Sequence, residues 1–310
     1  MTDFRRRVLT ALALNRTPGF TFAGNYLGVR FGAASPQRAR VEMDAGPHVE
    51  DDAGRLDMAA VCLLADIAMA TVVRANLTPT QRLATVSMSL QFTGVPLVGT
   101  LAGVGEFEGF VDGADSRQCL CRVQLHADDR RVAFGAGAFM VMDPPPGQTM
   151  HPLVSAVHAG ATALAEQALD EREKAILARA DGALHGKDSA RGALRRFWGF
   201  LPEPTATGAR CLTANGPHLG NRVGHFQGGL QIGMALDTAG CALSEEWSVS
   251  SVAAFFLSRG EGEHFVADAR IEHRGRHTAV LRTAVLDGAG RQVLVAETTH
   301  LKRGPCVARV

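Results

Sequence analysis

Two long apolar stretches, each interrupted by a single carboxylate, constrain this chain more than any other feature. Within Gly54–Ala70 (GRLDMAAVCLLADIAMA) the run from Met58 onward holds only Asp66. Within Asn221–Ala239 (NRVGHFQGGLQIGMALDTA) the run after Gly229 holds only Asp237. A helix that is apolar on every side has to be wrapped by other structure. The two carboxylates stand 171 positions apart, too far for a solenoid repeat and right for a duplicated domain. The second stretch opens with a polar, glycine-rich turn (Asn221, Gly224, His225, Gln227) that runs into Gly228-Gly229. Such glycines let another molecule approach the backbone at a helix N-terminus, where free N–H groups point outward.

The wrapping follows each helix in the chain. After the first helix, about Asp57–Ala75, the stretch Ala84–Phe92 alternates with period two. Val86, Met88, Leu90 and Phe92 face one way, and Thr85, Ser87, Ser89 and Gln91 the other. Gly94 and Pro96 break it. Strands are expected at Val98–Val111, Arg117–Leu125 and Arg131–Met142, with Asp112-Gly113 and Asp128-Asp129 as turns. In the second half Ala209–Thr213 precedes the helix, which runs to about Leu243. Trp247–Leu257, His264–Glu272, His277–Leu286 and Arg291–Lys302 follow as strands, turning at Arg274-Gly275 and Asp287–Gly290. A buried helix followed by an antiparallel meander is an α+β unit.

The remaining segments read as an amphipathic helix over Phe4–Leu14 and strands over Thr21–Gly32, Arg38–Asp44 and Trp198–Leu201. Leu153 to about Leu184, rich in Ala, Leu, Glu and Arg, reads as a helix packed over a surface. The expected organisation is a first unit over 1–147, a helical linker over 148–188 and a second unit over 189–310.

Of 310 residues, 32 are basic and 31 acidic, a balance that gives no reason to expect nucleic acid or an anionic membrane as partner. Arg5-Arg6-Arg7 before Val8–Leu14 has the opening of a signal peptide, but the apolar run is short and no cleavage pattern follows. The longest uncharged run, Leu83–Gly105, reads as strands, so no membrane span is expected. Six scattered cysteines form no C-x-x-C pair, which indicates neither a disulfide framework nor a zinc site and suits a reduced, cytoplasmic protein. No G-x-S-x-G, P-loop, Rossmann glycine set or metal-ligand spacing is present.

Three stretches together, LADIAMA (Leu64–Ala70), LATVSMSLQF (Leu83–Phe92) and FGAGAFMV (Phe134–Val141), resemble the PaaI-like acyl-CoA thioesterases of the hotdog fold. In that fold a curved antiparallel sheet wraps a central helix. The second half, with its GG-then-helix and RGRHTAV…LDGAGRQVLVAET, looks like a second, more diverged hotdog. The resemblance implies an acyl-CoA thioesterase with coenzyme A as part of the substrate and no other cofactor or metal. It also implies sites shared across paired hotdogs: one presents an H-G-G turn whose backbone N–H polarises the thioester carbonyl, the other an acid from its central helix. Carried over, the turn is Gly228-Gly229, with Gln227 in place of the histidine, and the acid is Asp66. The reciprocal pairing sets Asp237 against Asp57-Met58-Ala59, where glycine is missing and Asp57 puts negative charge where an oxyanion would form. Leu230–Asp237 is also one residue longer than the family spacing. One competent and one degenerate site are expected.

Each of these residues has a plainer reading. Asp66 is either general base or nucleophile, or a buried carboxylate satisfied by neighbours. Asp237 suits a structural pair as well as a site. Gly228-Gly229 suits oxyanion stabilisation or close packing. His225 and Asn221 suit substrate orientation or local backbone bonds. Thr85 suits holding a water or plain strand formation. Arg274 and Arg276, flanked by His273 and His277, suit coenzyme A phosphates or a solvated hairpin tip. An acyl-binding hotdog without catalysis and, with no histidine on either helix, a hotdog lyase or hydratase are the alternative functions. Exposed strand edges leave a homo-oligomer of the two-hotdog unit open.

Overall fold

The computed structural model describes residues 3–17, 19–144, 161–184 and 192–303. In chain order the helices are α1 (Asp3–Asn15), α2 (Phe22–Leu27), α3 (Met58–Arg74), α4 (Glu171–Leu184), α5 (Ala193–Trp198) and α6 (Gly228–Cys241). The first-half strands are β1 (Arg30–Ala34), β2 (Arg38–Met43), β3 (Arg82–Phe92), β4 (Leu101–Asp112), β5 (Arg117–Ala127) and β6 (Arg130–Met142). The second-half strands are β7 (Glu203–Pro204), β8 (Gly208–Ala214), β9 (Trp247–Phe256), β10 (His264–Arg274), β11 (Thr278–Asp287) and β12 (Gln292–Lys302).

The twelve strands of the described residues join one sheet in the order β1-β2-β4-β5-β6-β3-β9-β12-β11-β10-β8-β7. The order is a palindrome: each half builds the same meander, and the halves meet where β3 pairs antiparallel with β9, from Ser87↔Phe255 to Gln91↔Ser251. The turns before the central helices repeat in detail. The Asp51 N–H donates to the Arg55 carbonyl and the Asn221 N–H to the His225 carbonyl, both at 2.6 Å. The flanking bridges Glu50↔Leu56 and Gly220↔Phe226 match as well.

Helix α3 is buried from Ala59 through Met69, and α6 from Gly229 through Ala239. Each large apolar side chain so buried contributes at most about 1.5–3 kcal/mol. The helices cross in direct backbone contact. A Cβ on Gly229 would lie 2.4 Å from Leu63 Cα, and one on Gly233 2.4 Å from Ala59 Cα. Glycine at both positions is what brings the start of α6 against the middle of α3.

Two expected strands are not strands: most of Thr21–Gly32 is helix α2, and Trp198–Leu201 is the last residue of α5 followed by a turn and irregular chain. Phe22–Leu27 is capped by Thr21, whose hydroxyl oxygen accepts the Gly24 N–H at 3.0 Å, and is ended by Gly28 in the left-handed region at φ 72°. Ala193–Trp198 is likewise ended by Gly199 at φ 80°. Their aromatic residues, which read as strand formers, pack into one cluster in which Tyr26 meets Phe197 at 5.2 Å and Trp198 at 5.7 Å. Within the described part of the expected Leu153–Leu184 helix, the α-helix begins at Glu171. Residues 161–165 are irregular, Glu166–Ala168 is a 3₁₀ turn, and its first part and the 148–160 end of the linker lie outside the described residues. No helix among the described residues is long and apolar enough to cross a membrane.

Candidate active site

Asp66 lies mid-way along α3 and is 6% exposed. Its two oxygens are held from both halves of the chain. The Thr85 hydroxyl on β3 donates to Oδ1 at 3.0 Å, and the Gln227 amide Nε2 donates to Oδ2 at 2.8 Å. Strict alternation along β3 sets Thr85 on the face opposite Met88 and Leu90. A bulge between Thr85 and Ser87 in the pairing with β6 reverses the phase, so Thr85 turns inward toward α3. That correction to the period-two reading is what puts its hydroxyl on the carboxylate.

Gln227 caps α6. Its Oε1 accepts the Leu230 N–H at 2.9 Å while its Nε2 reaches Asp66, so one side chain ties the helix start to the opposing acid. The Gly229 amide also favours the Asp66 charge, and the Gln231 N–H bonds the Gln227 carbonyl. Of the amides in the first turn, Gly228 N–H alone has no acceptor among the described residues. A Cβ at Gly228 would lie 3.4 Å from Asp66 Oδ2 and 3.2 Å from the Phe256 ring, so Gly228 stands beside the carboxylate and lines the cavity next to it. The two glycines therefore differ: Gly229 is required by helix packing, and Gly228 lines the cavity.

Burial pushes the Asp66 carboxyl up to about 6, against the hydrogen bonds from Thr85 and Gln227, the Gly229 amide and the charge of Arg74. Beside it opens a cavity of about 380 Å³. It runs along the stripe Asp66, Ala70, Arg74 of α3, spaced four residues apart and so on one helix face. The ends of β3, β6 and β9 and the 221–228 turn wall it.

Asn221 and His225 line this cavity. The Asn221 side chain is committed to its own turn, its Oδ1 accepting the Val223 and His225 amides at 2.9 and 3.1 Å. Arg274 and Arg276 are not among the cavity residues. Arg274 stands over the Trp247 ring at 5.8 Å, on the hairpin joining β10 and β11, outside the cavity lining. Arg74, Arg82, Arg222 and Arg259 line the cavity instead. The sequence signal for Arg74 was its place eight residues after Asp66 on the same face. The other three come from loop and strand ends that only the fold assembles.

The reciprocal position is filled. Arg195 of α5 reaches in with its guanidinium 2.9 Å from Asp237 Oδ1 and 3.3 Å from Asp57 Oδ2. Asp57 caps α3, accepting the Ala59 N–H at 2.9 Å. From cap to acid is nine residues in α3 and ten in α6, so Asp237 is rotated about 100° from the direction Asp66 takes. Burial pushes both carboxyls up, the charge of Asp57 adds to this at Asp237, and the shared guanidinium opposes it. Among the described residues no group of His, Cys, Asp and Glu gathers as a metal set would.

No protein-family model and no curated protein matches this chain. Solved structures do. A protein from Lactobacillus plantarum assigned as an oleoyl thioesterase aligns over 86% of this chain and 97% of its own, at 10% identity and a TM-score of 0.54. The tesB protein of Mycobacterium avium subsp. paratuberculosis aligns over 88% and 96%, at 10% identity and a TM-score of 0.50. These neighbours are hotdog-fold thioesterases, and at such identity the likeness shows the fold alone.

Proposed function

We propose that this protein hydrolyses acyl thioesters, acyl-CoA plus water giving the free acid and coenzyme A, at one working site on the seam between the halves. The observation that carries this is the Asp66 carboxylate, buried yet held in place by Thr85 and Gln227, beside the free Gly228 amide at the start of α6. The resemblance of LADIAMA and its companion stretches to PaaI-like thioesterases supports the same reading.

In the proposed reaction the thioester carbonyl oxygen accepts the Gly228 N–H, and the helix N-terminus stabilises the charge that forms there. Asp66 takes a proton from water as the water oxygen bonds to the carbonyl carbon. The tetrahedral intermediate collapses, the C–S bond breaks, and the proton passes from Asp66 to the leaving thiolate. A carboxyl near 6 suits both steps, being ionised at neutral pH and acidic enough to return the proton. Thr85 and Gln227 aim the carboxylate and keep it from turning away. With both oxygens so held, general-base attack by water is favoured over direct nucleophilic attack, which would have to break those hydrogen bonds. At the reciprocal position Asp57 and Arg195 occupy the space in front of Asp237, so no second thioester is turned over there.

The test is thiol release across a panel of acyl-CoAs by wild type, Asp66→Asn and Asp237→Asn. Turnover by wild type, its loss in Asp66→Asn and its retention in Asp237→Asn are expected. Folded wild-type protein that binds acyl-CoA without hydrolysing any ester would overturn the enzyme reading in favour of a binding module.

A further inference from the structure

The short helices α2 and α5 are counterparts that differ at one telling position. Arg7 Nε donates to the Tyr26 carbonyl at 2.6 Å, and Arg179 Nε to the Phe197 carbonyl at 2.5 Å. The Gly24 carbonyl accepts the Val29 N–H at 3.0 Å, and the Arg195 carbonyl accepts the Phe200 N–H at 2.9 Å. Each helix then ends on a glycine in the left-handed region, Gly28 and Gly199. Gly24 therefore stands in the first half where Arg195 stands in the second.

Arg195 fills its position by sending a guanidinium onto Asp57 and Asp237. Gly24 has no side chain to do the same at Asp66. The ring of Phe20 lies against it instead, and a Cβ at Gly24 would be 2.3 Å from Phe20 Cζ. The same ring meets Phe31 edge-on, with centroids 5.0 Å apart. Phe20 and Thr21 line the Asp66 cavity, and the Thr21 hydroxyl oxygen, accepting the Gly24 N–H at 3.0 Å, fixes the backbone that carries the ring.

The lining of this cavity is uneven. Leu257 is 56% exposed and Arg259 is exposed too, whereas Phe20 is 9% exposed and Ile67 and Phe139 are buried. A charged nucleotide keeps its water and an apolar chain sheds it. The nucleotide of a thioester therefore takes the exposed side, and the acyl chain the side where Phe20 stands.

We propose that Phe20, seated on Gly24, is the wall on which the acyl chain ends, so that this pair sets the longest straight-chain acyl group accepted. The ring cannot recede to admit a longer chain, because the Gly24 backbone and Phe31 already hold it. In a fitted apolar pocket one methylene is worth about 10–200-fold, so the limit is sharp.

This deepens the hydrolase reading and rests on it, and the test separates the two. kcat/KM is measured for straight-chain acyl-CoAs from butyryl to palmitoyl, in steps of two carbons. Wild type is expected to show a break, a fall of about tenfold or more from one member to the next. Phe20→Ala is expected to move the break to a longer chain. Gly24→Ala, which pushes the ring toward the cavity, is expected to move it to a shorter one, and adding Phe20→Ala to that variant to move it back. Should either single variant not fold, Phe20→Leu gives a smaller shift toward longer chains. A purely structural role for the ring would lower turnover of every member alike and leave the break in place. No break in wild type, or one that stays put in Phe20→Ala, would overturn the wall and leave the hydrolase standing. So would a rise in KM equal at every chain length, which would put Phe20 on the coenzyme A arm. If wild type hydrolyses no member, the hydrolase falls, and calorimetric titration with the same acyl-CoAs decides the wall. Affinity that breaks at a longer chain in Phe20→Ala supports it, and an unmoved break overturns it.

Discussion

Gln227 Nε2 lies 2.8 Å from the Asp66 carboxylate, joining residues 161 positions apart in the chain. The same side chain caps α6 through its other amide atom. Neither half alone contains the constellation: the acid and Thr85 come from one repeat, and the cap and the free amide from the other. The constellation is therefore a product of the pairing of β3 with β9 and of α3 with α6.

Asp66→Asn should lower kcat by about 10²–10⁴, the usual worth of a positioned general base, with far-ultraviolet circular dichroism unchanged. The asparagine can accept from Gln227 and donate to the Thr85 hydroxyl, so the geometry survives while the basicity does not. Thiol-release kinetics at saturating acyl-CoA check this.

The pH dependence follows from burial of the same group. kcat/KM should rise with pH through about 6 and then level, since only the ionised carboxylate accepts a proton. The effect on stability runs the other way. A carboxyl raised from its unfolded value binds its proton more tightly in the native state, so this contribution is full below about pH 4 and is lost as pH rises through about 6. Asp66→Asn should therefore gain up to about 3 kcal/mol over wild type at pH 8 and little at pH 4, as thermal melts at the two pH values would show.

Gln227→Ala removes a cap and a donor in one step. Loss of the cap should cost about 0.5–2 kcal/mol, and loss of the Nε2 donor should move the rising limb of the pH–rate profile to higher pH. A melt that falls without a shifted limb would separate the cap from the carboxylate contact.

Arg195→Ala leaves the buried Asp57 and Asp237 without their shared cation. The arginine side chain is 39% exposed, so the loss should be about 2 kcal/mol, below the 3–5 typical of a fully buried pair. Adding Asp237→Asn should recover part of it, which a double-mutant cycle in urea measures. Turnover at Asp66 should persist in both variants.

Gly229→Ala would place a Cβ 2.4 Å from Leu63 Cα, so the helices must move apart. A loss of about 1–3 kcal/mol is expected, with a fall in kcat as the Gly228 amide moves relative to Asp66.

Much of this was legible in the chain itself. The two apolar stretches and the meanders come out within a few residues of their observed limits, because burial on all sides and period-two alternation are local patterns. The α2 segment and Trp198 misled because Tyr26 and Trp198 serve one tertiary cluster and not a sheet. Arg274 and Arg276 attracted attention by being clustered in sequence, while the arginines that share the cavity are dispersed from position 74 to position 259. Local order thus determined the duplication, the central helices and the two acids. Tertiary structure decided what surrounds each acid, through a bulge that turns Thr85 inward, a helix crossing that brings Gln227 to Asp66, and an arginine from α5 that pairs with Asp237. These depend on contacts between residues far apart in sequence, whose geometry no local pattern encodes.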